Sequence, residues 1–514
     1  MRLWSGLRLL AMTMASYCQL PSLQDRTASV ALSMDEAKNT RLGQSLARAI
    51  KANTGKSGIY ALADARDAFA TRALLAQAAE RTLDVQYYIW NDDMTGALLL
   101  EAVLAAAERG VRVRLLLDDN GIAGLDADLA ALDSHPGIEV RLFNPFMFRR
   151  VKALGYLTDF SRANRRMHNK SFTIDNQVTI IGGRNIGDEY FGAAEGVLFA
   201  DLDVMAVGPV VQEVSNDFDR YWSSESSYPS DRILPVARRG HLDALRSRGL
   251  AIRRAPAAQQ YVSALGTAPF VRQLLQNELQ LEWAPVHMIS DDPAKGLGAA
   301  SDNGTMLHGL NEILGSPSVN VELVSPYFVP AEQGAETFAS LAQRGVRVRV
   351  LTNSLSATDV AVVHSGYAKR RKALLRAGVV LYEMRRMPES FGRHEETNTG
   401  PFGSSGSSLH AKTFAVDGSH VFIGSFNFDP RSARLNTELG FVIESARLAQ
   451  QVEGAFDQRI PARSYEVRLS ESGDLYWIER RGGQTIRHDT EPETGFWKRT
   501  AVHLLSLLPI EWLL

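Results

Sequence analysis

Two short stretches of this sequence carry the same reactive side chains at the same spacing. One reads His168-Asn169-Lys170-Ser171-Phe172-Thr173-Ile174-Asp175, the other His410-Ala411-Lys412-Thr413-Phe414-Ala415-Val416-Asp417. With Lys and Asp each at roughly 6% of positions, a histidine meets this pattern about once in 300. Two matches among the 11 histidines then have odds of roughly one in a thousand. Both stretches read as strands followed by turn signals, Asp175-Asn176 and Asp417-Gly418. Residues i and i+2 of a strand share a face, so His168 projects beside Lys170 and His410 beside Lys412. Two imidazoles around one pocket suit a two-step displacement at phosphorus, one attacking and one protonating the leaving oxygen. Two ammonium groups neutralise phosphoryl oxygens, so the scheme calls for no metal and no cofactor. Asp175 and Asp417 complete the motif at the strand ends, where they fix turns and balance charge. A small pair follows each, Gly182-Gly183 and Gly424-Ser425, then Asn185 and Asn427, candidates for supporting a bound phosphate.

The elements that must position these residues read as α/β. A strand at 83–90 is followed by a helix at 97–109 that stops at Gly110, a strand at 111–117, a second helix, and a strand at 138–142. The order returns with strands at 319–328, 346–352 and 379–383, and the local match is close: RGVRVRLLL at 109–117 against RGVRVRVLT at 344–352. Helices between strands imply parallel pairing with right-handed crossovers. A repeat this long suggests a duplicated domain rather than a solenoid. A duplicated domain facing its copy across a pseudo-twofold axis puts both histidine–lysine pairs around one pocket.

Bulk composition narrows the function. The 514 residues exceed one domain, and 45% apolar with 22% charged residues is ordinary globular composition. Lys+Arg number 56 against 58 Asp+Glu, so no global basic field argues for nucleic acid. The one cysteine, Cys18, excludes a disulfide framework and a cysteine-built zinc site.

The paired motif, with GGRN at 182–185 and GSFN at 424–427, resembles the phospholipase D superfamily over roughly residues 60 to 460. GGRNIGDEYFG (182–192), SPYFVP (325–330), NSLSATDVAVVHSGY (353–367) and GSFNFDPRSARLNTELG (424–440) narrow the resemblance to bacterial cardiolipin synthases of that type. The resemblance implies two α/β/α repeats with pseudo-twofold symmetry and the active site between them. It implies a phosphatidyl group passing through a covalent histidine to a hydroxyl of phosphatidylglycerol, with phosphatidylglycerol or phosphatidylethanolamine as donor. The family analogy makes His168 the nucleophile and His410 the acid. It also implies an acidic residue after each motif that orients the histidine: Glu438 in the second half, and Asp201 in the first, with Asp203 competing. The same residues suit a hydrolase with water as acceptor, a phospholipase D or, less well, a nuclease.

The remaining features concern lipid and membrane. Arg149, Arg150, Lys152, Arg162, Arg165 and Arg166 crowd the approach to His168 and are candidates for anionic headgroups, as is His364. The stretch FWKRTAVHLLSLLPIEWLL at 496–514 is too short to span a bilayer and suits an interfacial segment. Arg2, Arg8 and the apolar run at 9–14 before Cys18 resemble a bacterial lipoprotein signal; an ordinary cleaved signal is the alternative. The expected organisation is a signal at 1–18, a tether at 19–56, repeats at 57–225 and 281–460 joined by a connector at 226–280, and a hairpin with an amphipathic tail at 461–514. The expected partners are phospholipids and the membrane surface of a bacterial cell envelope, reached peripherally or through a lipid on Cys18.

Overall fold

A computed structural model describes residues 19–194, 198–266, 269–275, 278–358, 360–386, 408–508 and 511–514. Cys18, Asp359, Pro509 and the loop at 403–407 lie outside the described residues. Each repeat builds one mixed sheet. Across the first, the strands run Glu282–Ala284, Ser57–Leu62, Asp203–Val207, Val178–Gly182, Ser171–Ile174, Thr82–Ile89, Arg112–Gly121, Ile138–Phe143 and Ser227–Pro229. The second runs Val286–Ser290, Leu439–Glu444, His420–Gly424, Thr413–Val416, Asn320–Val324, Arg347–Asn353, Val380–Met384, then a meander of Ser464–Leu469, Leu475–Arg481 and Gln484–His488.

Parallel pairing holds for three strands of each sheet, those linked by helical crossovers. The crossover helix Met94–Glu108 ends at Arg109 with Gly110 at φ 95°, and Ala331–Gln343 ends at Arg344 with Gly345 at φ 89°. A β-carbon disfavours that conformation, so each glycine stops its helix. The other strands pair antiparallel. The motif strand Ser171–Ile174 folds back on Val178–Gly182 through Asp175 and Asn176, both at φ 51°. Asp417 and Gly418, at φ 51° and 62°, make the same turn in the second repeat. Two successive positive φ values let each chain reverse within three residues, between Ile174 and Val178 and between Val416 and His420.

Strand alternation buries both faces of each sheet. In the first, Ile180, Met205 and Val207 face the helices; in the second, Phe414, Val416 and Phe422 do so. Their neighbours Ile181, Val204 and Ala206 meet Ala415, Ile423 and Phe441 of the other sheet in a shared core. The layers are therefore helix, sheet, sheet, helix, with the repeats joined face to face. The duplication extends to buried ion pairs. Arg114 grips both oxygens of Asp84 on the neighbouring strand at 2.7 Å, and Arg349 grips Glu322 at 2.7 and 2.8 Å.

Two expected segments differ, and the C-terminal one also packs on the fold. The presumed tether at 19–56 contains helices Met34–Lys38 and Arg41–Ala52, and its extended part lies against the first repeat. Arg141 and Arg114 donate to the carbonyls of Thr27 and Ser29 at 2.5 and 3.0 Å. The connector holds helices His241–Arg254, Pro256–Gly266 and Pro269–Leu275, which cover the first repeat through ion pairs such as Arg248–Asp128. At the C-terminus, helix Phe496–Ser506 packs on Ala361–Arg376, with Val502 buried between them.

Candidate active site between the repeats

The motif strands begin at Ser171 and Thr413, so His168, Lys170, His410 and Lys412 stand on extended segments just ahead of the ladders rather than within them. The opposite repeat holds those segments. His168 N–H donates to the carbonyl of Thr437 at 2.8 Å, and Thr437 N–H returns a bond to Arg166 at 2.9 Å. His410 N–H donates to the carbonyl of Ala200 at 2.8 Å, beside a short parallel pair of Phe199–Ala200 with Ser408–Leu409. Thr437 precedes Glu438 and Ala200 precedes Asp201, so each histidine is pinned next to the carboxylate of the other half.

The side chains cross accordingly. His168 Nδ1 lies 2.8 Å from Glu438 Oε2, and His410 Nδ1 lies 2.6 Å from Asp201 Oδ2. The sequence reading assigned each carboxylate to the motif of its own half; the structure exchanges them. It also decides between Asp201 and Asp203, because Asp203 is bound by Arg72 at 2.8 Å and faces Arg184 at 3.5 Å.

These contacts fix the protonation pattern. His168 Nδ1 faces two acceptors, Glu438 and the Ser425 carbonyl at 3.1 Å, so Nδ1 carries the proton and Nε2 the lone pair. Burial drives His168 well below the ordinary imidazole value, and the charges of Lys170 and Lys412 add to this. Burial and Lys412 also lower His410, against the pull of Asp201. Burial brings Lys170 down to about 7, opposed by Glu438. Burial pushes Asp201 up, but His410 and Lys412 outweigh it and hold the carboxyl at about 2. Glu438 is raised by burial despite Lys170 and its serine partners. Each lysine Nζ donates to the carbonyl of its own motif histidine, Lys170 to His168 at 2.5 Å and Lys412 to His410.

The two halves seat their carboxylates differently. Glu438 accepts from the hydroxyls of Ser425 and Ser432 at 2.5 and 2.6 Å. At the position matching Ser425 the first half has Gly183, where a β-carbon would stand 2.1 Å from Asp201 Oδ1. The shorter aspartate and the glycine are thus a matched pair, as are the glutamate and the serine.

Asn185 is committed internally: its Oδ1 accepts from Ile89 N–H at 3.3 Å and its Nδ2 donates to the Tyr190 hydroxyl at 3.0 Å. Asn427 is buried, its N–H donating to Ser432 Oγ at 3.2 Å. Asp175 and Asp417, grouped with the catalytic residues in the sequence, stand at the far ends of the motif strands. Asp175 accepts from the N–H groups of Glu80, Arg81 and Thr82, and Asp417 from those of Ser318, Val319 and Asn320. They clamp the start of the neighbouring strand and are positioning residues.

Apart from Arg150, which is exposed, the proposed headgroup cations are also spent internally. Arg165 donates to the carbonyls of Lys295 and Arg434, and Arg166 to that of Asn144 with Asp118 3.4 Å away. Arg149 and Lys152 neutralise buried Asp119, and Arg162 pairs with Asp159. His364 is buried against Arg371 and Glu491 at 3.1 and 3.4 Å. What the sequence reading missed is an aromatic shell. Tyr88 meets His168 edge-on at 5.0 Å, and Tyr190 and Phe199 each stand 5.2 Å from His410. A signal existed for Tyr88: its strand pairs with the motif strand, which carries it to the level of the histidine.

Two copies of a histidine–lysine motif, brought together by a duplicated mixed sheet, are matched by a family model described as cardiolipin synthase, PLD-like domain, at residues 72–222 and 310–460. The chain belongs to that family, within the phospholipase D superfamily. Among its relatives, Cardiolipin synthase C of Escherichia coli (strain K12) is 51% identical over 482 residues, covering 92% of this chain and 100% of the relative. Cardiolipin synthase A of Pseudomonas entomophila (strain L48) is 27% identical over 80% of this chain and 70% of its own. The fold is shared with a solved phosphatidylserine synthase of Haemophilus influenzae Rd KW20, at TM-score 0.58 and 17% identity, covering 91% of this chain and 99% of that one.

Proposed function

We propose that this protein joins two phospholipids into cardiolipin by phosphatidyl transfer through His168. One observation carries the reading: a neutral imidazole with its Nε2 lone pair free to attack stands in one pocket with a second imidazole whose carboxylate partner is held ionised. His168 Nε2 attacks the donor phosphorus, the bond from phosphorus to the headgroup oxygen breaks, and that oxygen takes a proton from His410. A hydroxyl of phosphatidylglycerol then attacks, its proton passes to His410, and the phosphorus–nitrogen bond breaks to restore His168. Asp201 suits His410 for the proton-carrying role, because a carboxyl held at about 2 stabilises the imidazolium. Lys170 and Lys412 take the charge on the phosphoryl oxygens. The anionic phosphodiester offsets the lysine charges that hold His410 down, so binding favours its acid form. The donor is phosphatidylglycerol or phosphatidylethanolamine, and the site of action is the membrane of a bacterial envelope.

Purified protein incubated with labelled phosphatidylglycerol, with and without phosphatidylethanolamine, should release cardiolipin. Phosphatidate as the sole product would replace transfer by hydrolysis. His168→Ala and His410→Ala should each lower turnover by roughly 10³-fold or more. During rapidly quenched turnover of the unaltered protein, mass spectrometry should find the phosphatidyl group on His168.

A further inference from the structure

Among the described residues, exposed large apolar side chains are densest in two segments far apart in sequence, the others being scattered, mostly singly. One comprises Val151, Leu154, Leu157 and Phe160, around helices Ala153–Thr158 and Phe160–Ala163. The other comprises Phe496, Trp497, Leu504, Leu507 and Trp512 near the C-terminus. On helix Phe496–Ser506, Trp497 and Leu504 lie two turns apart on one face, while Val502 turns inward to the protein. Leu157 is 82% and Trp497 80% exposed.

Each segment is tied to one catalytic histidine. Tyr156, on the first, donates to Asn120 at 3.2 Å; Asn120 reaches the Tyr88 hydroxyl at 3.5 Å, and Tyr88 packs on His168. Lys498, on the second, donates to the Leu355 carbonyl at 2.7 Å. Two residues before Leu355, Asn353 exchanges hydrogen bonds with Leu409, the neighbour of His410. Arg431 joins the segments directly. Its guanidinium donates to the Asn164 carbonyl at 2.8 Å and the Leu513 carbonyl at 3.3 Å, and its N–H to the Leu514 carbonyl at 3.0 Å. Arg431 lies on the helix Pro430–Arg434 that also carries Ser432, a partner of Glu438.

We propose that these two segments form one apolar rim around the mouth of the site and insert into the interfacial layer of a phospholipid bilayer. The rim rests on the phospholipid reading above and adds the surface through which the substrate is met. A clustered patch of large apolar residues on a protein surface marks an interaction site. Aromatic and leucine side chains at headgroup depth suit the bilayer boundary. Because the segments flank the two histidines, insertion would bring the lipid phosphates to the pocket rather than to another face. No helix among the described residues is long and apolar enough to cross a membrane, so a rim of this kind supplies contact without a span.

The test uses the full chain with Cys18→Ser, which removes any lipid attached there. Flotation with vesicles of phosphatidylglycerol and phosphatidylethanolamine should show binding by this protein. Binding should weaken at least about tenfold on adding Leu157→Asp, Trp497→Asp and Leu507→Asp together. Turnover of a short-chain, monomerically dissolved phosphatidylglycerol should be retained, which shows an intact fold and site. Val236→Asp, at another exposed apolar position, should leave vesicle binding unchanged. Equal binding by the triple variant would overturn the rim. So would a change in self-association without vesicles while vesicle binding persists, since the occupant would then be a second copy of the chain. If the protein binds vesicles through these residues yet makes no cardiolipin, the rim stands and the transfer reading fails.

Discussion

A buried lysine proposed to offset the charge of a bound phosphate is exposed to pH in a way a surface lysine is not. Burial holds Lys170 at about 7, so it is protonated below that pH and neutral above it. The profile of kcat/KM, which reports the free enzyme, should fall as pH rises through about 7. The acid limb should lie well below the ordinary imidazole value, because His168 resists protonation. A profile rising steadily from pH 6 to 9 would contradict this assignment. The carboxylate seats make a second prediction. Gly183→Ala places a β-carbon where Asp201 Oδ1 stands, so the carboxylate must leave His410. We expect kcat to drop roughly 10²-fold or more with a smaller change in KM. Ser425→Ala removes only one hydroxyl from Glu438, about 1 kcal/mol, and should be milder. Similar steady-state losses in the two variants would show that the seats are not matched in the way described.

At the scale of elements, the repeat was legible wherever a backbone or packing requirement forces a residue type. Gly110 and Gly345 mark helix ends because a β-carbon is disfavoured there. The third arginine of each RGVRVR segment, Arg114 or Arg349, recurs because it crosses to an acid on the next strand. That buried pair supports a stability prediction. Arg114→Ala leaves Asp84 buried without its partner and should cost about 3–5 kcal/mol in denaturant unfolding. Replacing both with apolar residues of similar volume should recover only part of it, because Arg114 also pairs with Asp219 and donates to the Ser29 carbonyl; a loss below about 1 kcal/mol in the single variant would refute the pair's structural role. The docking of residues 27–31 was not legible, because backbone carbonyls receive the bonds from Arg141 and Arg114, and every residue has one. The basic residues before His168 misled for a related reason. An arginine spent on a buried carbonyl, such as Arg166, has the same letter as one offered to a ligand.

Across the whole molecule, the two sheets share a core through Ile181, Val204, Ala415 and Phe441, so the repeats are joined by packing as well as by the site. The sequence pointed to one centre for both histidines but not to how their carboxylates are exchanged. Spacing along a chain says which residues follow a motif; it does not say across which interface they act. The same limit hid the partner of the interfacial stretch at 496–514: the proposed rim's other part, near helix Ala153–Thr158, meets it through Arg431.

The exchange of carboxylates also bears on how such a chain is made. A ribosome releases His168 and its lysine long before Glu438, which lies 270 residues further on. Until that residue is added and the second sheet has docked, the emerging first half carries an intact motif with no carboxylate behind the Nδ1 of His168. The polypeptide is in this sense born disarmed. On the proposed mechanism, its chemistry waits for the completed fold.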